Sequence, residues 1–317
     1  MKHQIDPKVD CVFKAILGDE DHTHLLIHFL NALLVDELES PIVSVEILNP
    51  YNDKEMLDEK LSIVDIKARD QAFRLYQIEI QLRNYRNIPA RMAYTWADIY
   101  SKQLKEGDNY LELKPTYSIW LLGEKVKNDD KYLHIIKMRD QTGEVLLENG
   151  GIWLLELPKF NESTVKTELE RWLKLFKEGD QLDDTRLPDW MHTPEMEQVM
   201  TVLNRFSEKE SDYHLYQTRQ NFQREQKTIQ LELEEALREK MAALREKKAA
   251  LKREEAEKKA REAERKAKEA ERKAKEEALK EKEAALQREE AERQAKEEAL
   301  AELARLKAQI DQATAKG

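Results

Sequence analysis

The hydrophobic residues near the start of the chain recur at three- and four-residue spacing, which is typical of amphipathic helices. Residues 12–17 follow this period, and Gly18 with Asp19 ends it. A second apolar run, residues 25–34, has the same period. The pattern therefore predicts two helices before residue 35, each with one face directed at a core.

The pattern then changes to the alternation that strands show. Residues 43–47 alternate between apolar and polar side chains. Residues 61–68 and 74–82 are two further segments of strand type, joined by the polar residues 69–71. We expect these two segments to pair as an antiparallel hairpin with its turn at residues 69–71.

Helical and strand patterns continue to about residue 206. A helical period covers residues 89–107, and short apolar strands are expected at residues 117–122 and 133–137. Further amphipathic helices are predicted at residues 162–176 and 195–206. The predicted fold class is therefore α/β of the α+β kind, with a mixed sheet flanked by helices.

Composition divides the chain into two parts. All five Trp lie before residue 191, whereas residues 221–310 contain 25 Lys plus Arg, 23 Glu and no Asp, Pro or Gly. Glu and Lys or Arg recur four residues apart in this segment, an arrangement that stabilises helices. We expect two domains, a compact domain over residues 1–220 and a long charged helix or coiled coil over residues 221–317.

Apolar residues indicate where the helical tail would self-associate. One apolar heptad pattern covers residues 237–251, another covers residues 299–313, and the seam between them is alanine. Alanine buries little surface, so the middle of the tail would associate only weakly. We expect a homo-oligomer, and hence a dimer, held at the two ends of the tail.

The formal net charge of −10 bears on the choice of partner. Residues 221–310 contribute +2 and residues 311–317 are balanced, so the compact domain has a net charge of −12. This acidity argues mildly against a nucleic-acid partner. A single cysteine, no leader-like start and no apolar run of bilayer length indicate a cytoplasmic protein without a membrane role.

Two carboxylates lie inside the predicted hairpin strands, where a charged side chain is costly to bury unless it is compensated. Asp65 lies in the first strand, and Glu79 and Gln81 share one face of the second because side chains alternate along a strand. In the expected register, Asp65 and Glu79 converge on one side of the sheet. Such a pair suits Mg²⁺ or Mn²⁺, which could activate a water to attack a phosphodiester.

The order Asp65, thirteen residues, then Glu79-Ile80-Gln81 resembles the PD-(D/E)XK nuclease signature in the variant that ends in Gln. The surrounding sequence resembles the Rpn family of recombination-promoting nucleases, a family also named as transposases. This similarity is good over residues 5–125 and looser to about residue 220. The segments that carry it are residues 10–14, 30–33, 60–68, 78–81, 91–103 and 107–110.

The resemblance implies a restriction-endonuclease-like core, Mg²⁺-dependent cleavage of DNA, and a role in recombination or mobile-element biology. By position, Asp65 and Glu79 would be the catalytic metal ligands, and Gln81 would replace the signature lysine. Asp10 and Lys14 on the first helix would be an accessory acid and a phosphate contact. The DNA partner and the metal are thus implied together.

The sequence departs from the family pattern at two places in the hairpin. Val64 stands where the signature has Pro, and residues 71–72 stand where a turn glycine is expected, which leaves the hairpin register open. Three arginines, Arg83, Arg86 and Arg91, follow the second strand. On a nuclease they would contact the DNA backbone, and on another protein they would be a solvated strand end and loop.

Ordinary structural roles would explain several of these residues in other ways. Asp65 could form an ion pair with a helix lysine or arginine, and Asp10 and Lys14 could pair as i,i+4 neighbours. The three histidines of residues 22–28 lack the spacing of a zinc site. The first alternative to a Mg²⁺-dependent DNA endonuclease is an inactive nuclease-fold scaffold whose coiled-coil tail mediates protein association. The second is a transposase that joins strands as well as cutting them, which ranks lower because the sequence offers no separate sequence-reading domain such as a helix-turn-helix.

Overall fold

The computed structural model describes residues 2–49, 51–52, 62–63, 65–83, 87–145 and 148–314. The chain divides into two units, Met1–Thr228 and Ile229–Gly317. In chain order the strands are β1 Val45–Leu48, β2 Tyr51–Asn52, β3 Ser62–Ile63, β4 Ile66–Asp70, β5 Leu75–Gln81, β6 Thr116–Leu122, β7 Leu133–Ile136 and β8 Gly150–Glu156. The α-helices are α1 Asp10–Leu17, α2 Thr23–Leu33, α3 Ile88–Ser101, α4 Glu168–Glu178, α5 Pro194–Glu208 and α6 Glu210–Thr314.

A mixed sheet of six of the described strands organises the first unit, in the order β1-β4-β5-β6-β8-β7. The central pairs β5–β6 and β6–β8 are parallel, and the outer pairs β1–β4, β4–β5 and β7–β8 are antiparallel. Parallel strands are usually covered on both faces, and β6 is buried along its whole length. The predicted fold class, a mixed sheet flanked by helices, is confirmed.

The two faces of the sheet carry separate hydrophobic clusters. The larger cluster joins α1, α2, α4 and α5 to alternate side chains of the strands, among them Ile78 and Ile80 of β5. The smaller cluster joins Met92 and Trp96 of α3 to Trp120 of β6. Since side chains alternate along β5, Glu79, which lies between Ile78 and Ile80, faces α3. Helix α3 therefore covers the strand face that carries Glu79.

The hairpin turn is longer and later than the sequence predicts. Strand β4 continues to Asp70, so the prediction of a turn at residues 69–71 is wrong and the connection is residues 71–74. The Asp70 carboxylate accepts hydrogen bonds from the backbone of Ala72 and Arg74 at 2.9 and 3.0 Å. It also contacts the Arg74 side chain at 2.6 Å and the Tyr76 hydroxyl at 2.8 Å. This buried network fixes the turn without a glycine, although Phe73 adopts a positive φ of 62°.

Strand β8 is absent from the sequence prediction. Its residues are apolar without alternation because both faces of the strand are buried, and two glycines precede the apolar run. At Gly150, whose φ is 85°, an added Cβ would lie 2.1 Å from the Thr116 carbonyl oxygen. Glycine is therefore required where β8 meets β6, although a glycine pair in a sequence usually indicates a loop.

The predicted helices occur, with different ends. Helix α4 begins at Glu168 rather than at residue 162, because Thr167 and Glu170 form a capping box at its N-terminus. Helix α3 ends at Ser101, before the expected stop at Gly107. Helix α6 begins at Glu210, eleven residues before residue 221, where the charged helical segment was expected to begin. The ends of these helices are therefore set by capping residues or by where contacts with the rest of the domain end, and less by the hydrophobic period of the sequence.

The second unit is helical along its described residues, and its side chains are exposed from residue 231 to residue 307. Ion pairs between residues four apart are concentrated between Glu254 and Glu276, including Glu257 with Arg261 at 2.6 Å. Exposed pairs of this kind contribute about 0.3–0.5 kcal/mol each. Leu237, Leu244 and Leu251 are each about half exposed on this helix. None of the described helices is long and apolar enough to cross a membrane.

Candidate active site

The β4–β5 register brings the two candidate carboxylates together. Ile66 pairs with Ile78, and extension of that antiparallel register by one residue sets Asp65 opposite Glu79. The Asp65 carboxylate also accepts a hydrogen bond from the backbone N–H of Ile80 at 3.0 Å. The register of the hairpin therefore brings Asp65 and Glu79 together on one side of the sheet, although the turn differs from the predicted one.

Asp65 lies at the bend just before β4, where its side chain is 17% exposed. Its second oxygen is 3.1 Å from the Lys14 ammonium on α1. The ion pair with a helix lysine, which the sequence left open as an alternative, is thus present. This ion pair does not account for the whole site, because Lys14 neutralises the charge of Asp65 while the carboxylate of Glu79 lies beside it.

Glu79 is the most enclosed acid of the site, with 3% of the residue exposed. Burial, followed by the negative charge of Asp65, raises the pKa of Glu79 to about 8, although Arg91, Lys14 and a hydrogen bond from the Asp65 backbone act in the opposite direction. One oxygen, Oε2, is 3.4 Å from the Arg91 guanidinium. The other, Oε1, is buried without a hydrogen-bond partner among the described residues.

An unpartnered buried carboxylate oxygen costs free energy that a cation would recover. At this site the oxygen belongs to Glu79, and Asp65 adds a second carboxylate from the neighbouring strand. Hard oxygen ligands of this type are those that Mg²⁺ takes in proteins. The residues present therefore fit a divalent cation.

Arg91 links Glu79 to Gln81 from the first turns of α3. Its Nη1 donates to Oε1 of Gln81 at 2.8 Å, while Nη2 faces Glu79. The guanidinium carbon lies 5.3 Å from the centre of the Trp120 ring, at a distance where a cation–π interaction is favourable. The sequence suggests a DNA-backbone contact for Arg91, and the structure gives it these three partners inside the site.

Gln77 extends the polar row on the α3 face of β5. It is fully buried, and its amide donates to the Thr95 hydroxyl of α3 at 3.2 Å. Gln77 was not among the predicted site residues. Its signal was the two-residue spacing to Glu79 and Gln81 in a strand that is otherwise apolar.

The other predicted residues lie around this centre with different partners. Asp10 is 3.8 Å from Arg219 of α6, while Lys14 contacts Asp65. The i,i+4 pair that was the ordinary alternative for these two residues is therefore replaced by two separate contacts. Arg83 follows β5 and is half-buried. Arg86 lies outside the described residues.

A second cluster of ionisable groups lies at the far side of the sheet, where β7 meets β8. One ligand atom each from Asp129, His134 and Glu156 lies within 4.8 Å of the others, an arrangement that could hold a metal. The Lys159 ammonium already lies 2.6 Å from Glu156 and 3.0 Å from Asp129. This lysine offsets the carboxylates without a metal. Sequence patterns missed the cluster because Glu156 lies 22 residues beyond His134 and the three residues form no motif.

Comparison with known proteins gives a family match. The family described as PD-(D/E)XK nuclease family transposase matches residues 7–232 of the chain. This range includes the whole β4–β5 hairpin, α3 and the first turns of α6. None of the curated proteins and none of the solved structures compared with the chain matches it.

Proposed function

Since the chain belongs to the PD-(D/E)XK nuclease family of transposases, we propose that it is a DNA endonuclease dependent on Mg²⁺ or Mn²⁺ that hydrolyses phosphodiester bonds. One observation carries the proposal. Asp65 and Glu79 meet at the β4–β5 hairpin, and a buried oxygen of Glu79 has no hydrogen-bond partner among the described residues.

Asp65 and Glu79 would hold the metal through one oxygen each. When bound, the cation supplies activation of a water and stabilisation of the charge that develops on the phosphodiester. The hairpin contributes fixed positions for both carboxylates, because Asp65 is bonded to the Ile80 backbone and Glu79 is enclosed in the sheet. Fixed ligands lose little freedom when the reaction begins.

Gln81 takes the place of the lysine in the family signature, and a neutral amide cannot neutralise charge. Arg91 supplies the missing positive charge from α3, since its guanidinium is 2.8 Å from the Gln81 amide oxygen and 3.4 Å from Glu79. We propose that Gln81 orients the water or the phosphate by hydrogen bonds. Arg91 holds Gln81 and Glu79 in place and offsets charge near the reacting phosphate.

Lys14 and Asp10 on α1 are proposed as accessory groups. Lys14 is partly exposed and contacts Asp65, so it lies where a phosphate oxygen could replace one of its contacts. Asp10 is directed at Arg219 and would act only through that arginine. We also propose that the tail self-associates into a dimer. A dimer would present two active sites to the two strands of a duplex.

Nicking of supercoiled plasmid by the purified full-length chain tests the proposed function. In Mg²⁺ or Mn²⁺ the wild type should convert the plasmid to open circles, and chelation of the metal should abolish this activity. Asp65→Ala and Glu79→Ala should both be inactive, while Glu106→Ala, an exposed acid in the loop after α3, should match the wild type. Equal nicking by all four proteins would refute the assignment of the site, and no nicking by any would favour the inactive scaffold.

A further inference from the structure

A cavity of about 350 Å³ opens beside Gln81, next to the candidate active site. Three parts of the first unit line it: the N-terminal segment at Lys8 and Asp10, the end of β5 with Leu82 and Arg83, and residues 220–227 of α6. Its volume is at the lower end of the roughly 300–1,000 Å³ of pockets that hold small ligands. Gln81 therefore belongs both to the candidate active site and to the cavity wall.

The lining of this cavity is basic, although the domain as a whole is acidic. Four cations line it, Lys8, Arg83, Arg224 and Lys227, against the one acid Asp10. Lys8 is engaged by Asp6 at 2.9 Å, and Asp10 is engaged by Arg219. Arg83, Arg224 and Lys227 have no ion pair with an acid within the ranges that the structure describes.

An exposed aromatic ring lies among these cations. Phe222 is 57% exposed on the first turns of α6, with the amide side chains of Gln220, Gln223 and Gln226 close to it in the lining. Phe222 belongs to neither of the two hydrophobic clusters. Cations beside a ring that can stack on a base are the usual composition of sites for single-stranded nucleic acid.

We propose that this cavity binds an unpaired nucleotide of the DNA strand that enters the active site. Arg83, Arg224 and Lys227 contact its phosphates, and Phe222 stacks on its base. The proposal rests on the proposed function, because the strand reaches the Asp65–Glu79 pair through the shared Gln81. It also assigns residues 222–227 of α6 to substrate binding, whereas the sequence had placed them in the charged helical tail.

The cavity explains how a domain with an acidic net charge could bind DNA. Affinity for DNA depends on the cations that face the phosphates, not on the net charge of the whole domain. A net charge of +3 around one cavity, from four cations and one acid, is a local positive site on an acidic domain. The amides of the glutamines add hydrogen-bond donors that suit phosphate or base edges.

Binding of a fluorescein-labelled DNA duplex with a single-stranded overhang, followed by anisotropy, tests the proposal. The full-length Glu79→Gln protein in EDTA serves as background, so that no cleavage occurs. The double variant Arg224→Gln/Lys227→Gln should lower the steepness of the dependence of log K on log salt by roughly 1.4 to 1.8. The Phe222→Ala variant should weaken binding roughly 5- to 150-fold, the range for stacking of one base.

Two controls match these changes on the same helix. Arg245→Gln/Lys248→Gln removes the same charge outside the cavity, and Ile229→Ala removes an apolar side chain that is as exposed as Phe222. Both should bind as the background protein does, and circular dichroism should show unchanged helix content in all variants.

The outcomes separate this proposal from the proposed function. Loss of affinity confined to the cavity variants supports it, even if the wild type proves unable to nick plasmid. If the cavity variants bind the labelled DNA as the controls do, or if the background protein does not bind it at all, the proposal is overturned. If the wild type nicks plasmid and the cavity variants nick it equally well, the proposed endonuclease activity is retained but the cavity has no part in it.

Discussion

Replacement of Glu79 by Gln should stabilise the metal-free protein at neutral pH. The pKa of Glu79 is raised to about 8 by burial and by the neighbouring Asp65, well above its ordinary 4.5. The folded state therefore binds this proton more tightly than the unfolded state does. The resulting stabilisation is fully present below pH 4.5 and is lost as the pH rises through 8.

The magnitude follows from the two pKa values. At pH 7 the unfolded carboxyl is ionised and the folded one is mostly protonated, so the wild type has lost about 3 kcal/mol relative to its stability below pH 4.5. Gln is nearly isosteric and has no charge to lose. The difference in unfolding free energy between Glu79→Gln and wild type should therefore grow by about 3 kcal/mol from pH 4.5 to pH 7.

Urea unfolding in EDTA, followed by tryptophan fluorescence, measures this difference. All five Trp lie before residue 191, so the signal reports the first unit alone and not the helical tail. Glu106→Gln is the matched control, an exposed glutamate whose replacement should leave the pH dependence unchanged. The reasoning fails if the Glu79→Gln difference is the same at pH 4.5 and pH 7, because Glu79 would then ionise as easily in the folded protein as in the unfolded one.

Three further predictions concern other parts of the molecule. Asp70→Ala should lower the unfolding free energy by about 3–5 kcal/mol, since it removes a buried carboxylate and leaves the half-buried Arg74 and the buried Tyr76 hydroxyl without their partner, and a loss below 1 kcal/mol would contradict this. Arg91→Ala should slow nicking about 100-fold or more at saturating DNA; an effect on DNA affinity alone would instead indicate a backbone contact. The isolated segment 229–317 should be helical and sediment as a dimer at micromolar concentration, whereas a monomer would exclude association through the tail.

Much of the site could be predicted because it depends on local patterns. The period of β5 identified Glu79 and Gln81 on one face, and the apolar strand around Asp65 made its charge conspicuous. Asp65 and Glu79 lie close together although the predicted turn was wrong, because the buried faces of both strands set the register in which Ile66 pairs with Ile78. A loop can lengthen without changing which side chains face each other.

The partners of these residues could not be predicted, because they depend on long-range packing. Arg91 is ten residues beyond Gln81, and only the packing of α3 on the sheet brings the two together. The cavity beside Gln81 joins the end of β5 to residues 220–227 of α6, more than 130 residues later in the chain. Strand β8 escaped detection for a different reason, since burial of both faces removed the alternation that identifies a strand.

Calorimetric titration of the full-length chain with Mn²⁺ measures whether Asp65 and Glu79 together hold one hard divalent cation. Wild type and His134→Asn, which alters the Asp129–His134–Glu156 cluster, should bind the ion with equal affinity, whereas Asp65→Asn and Glu79→Gln should lose it. Unchanged binding by Glu79→Gln, or loss of binding only in His134→Asn, would show that Asp65 and Glu79 do not hold the ion.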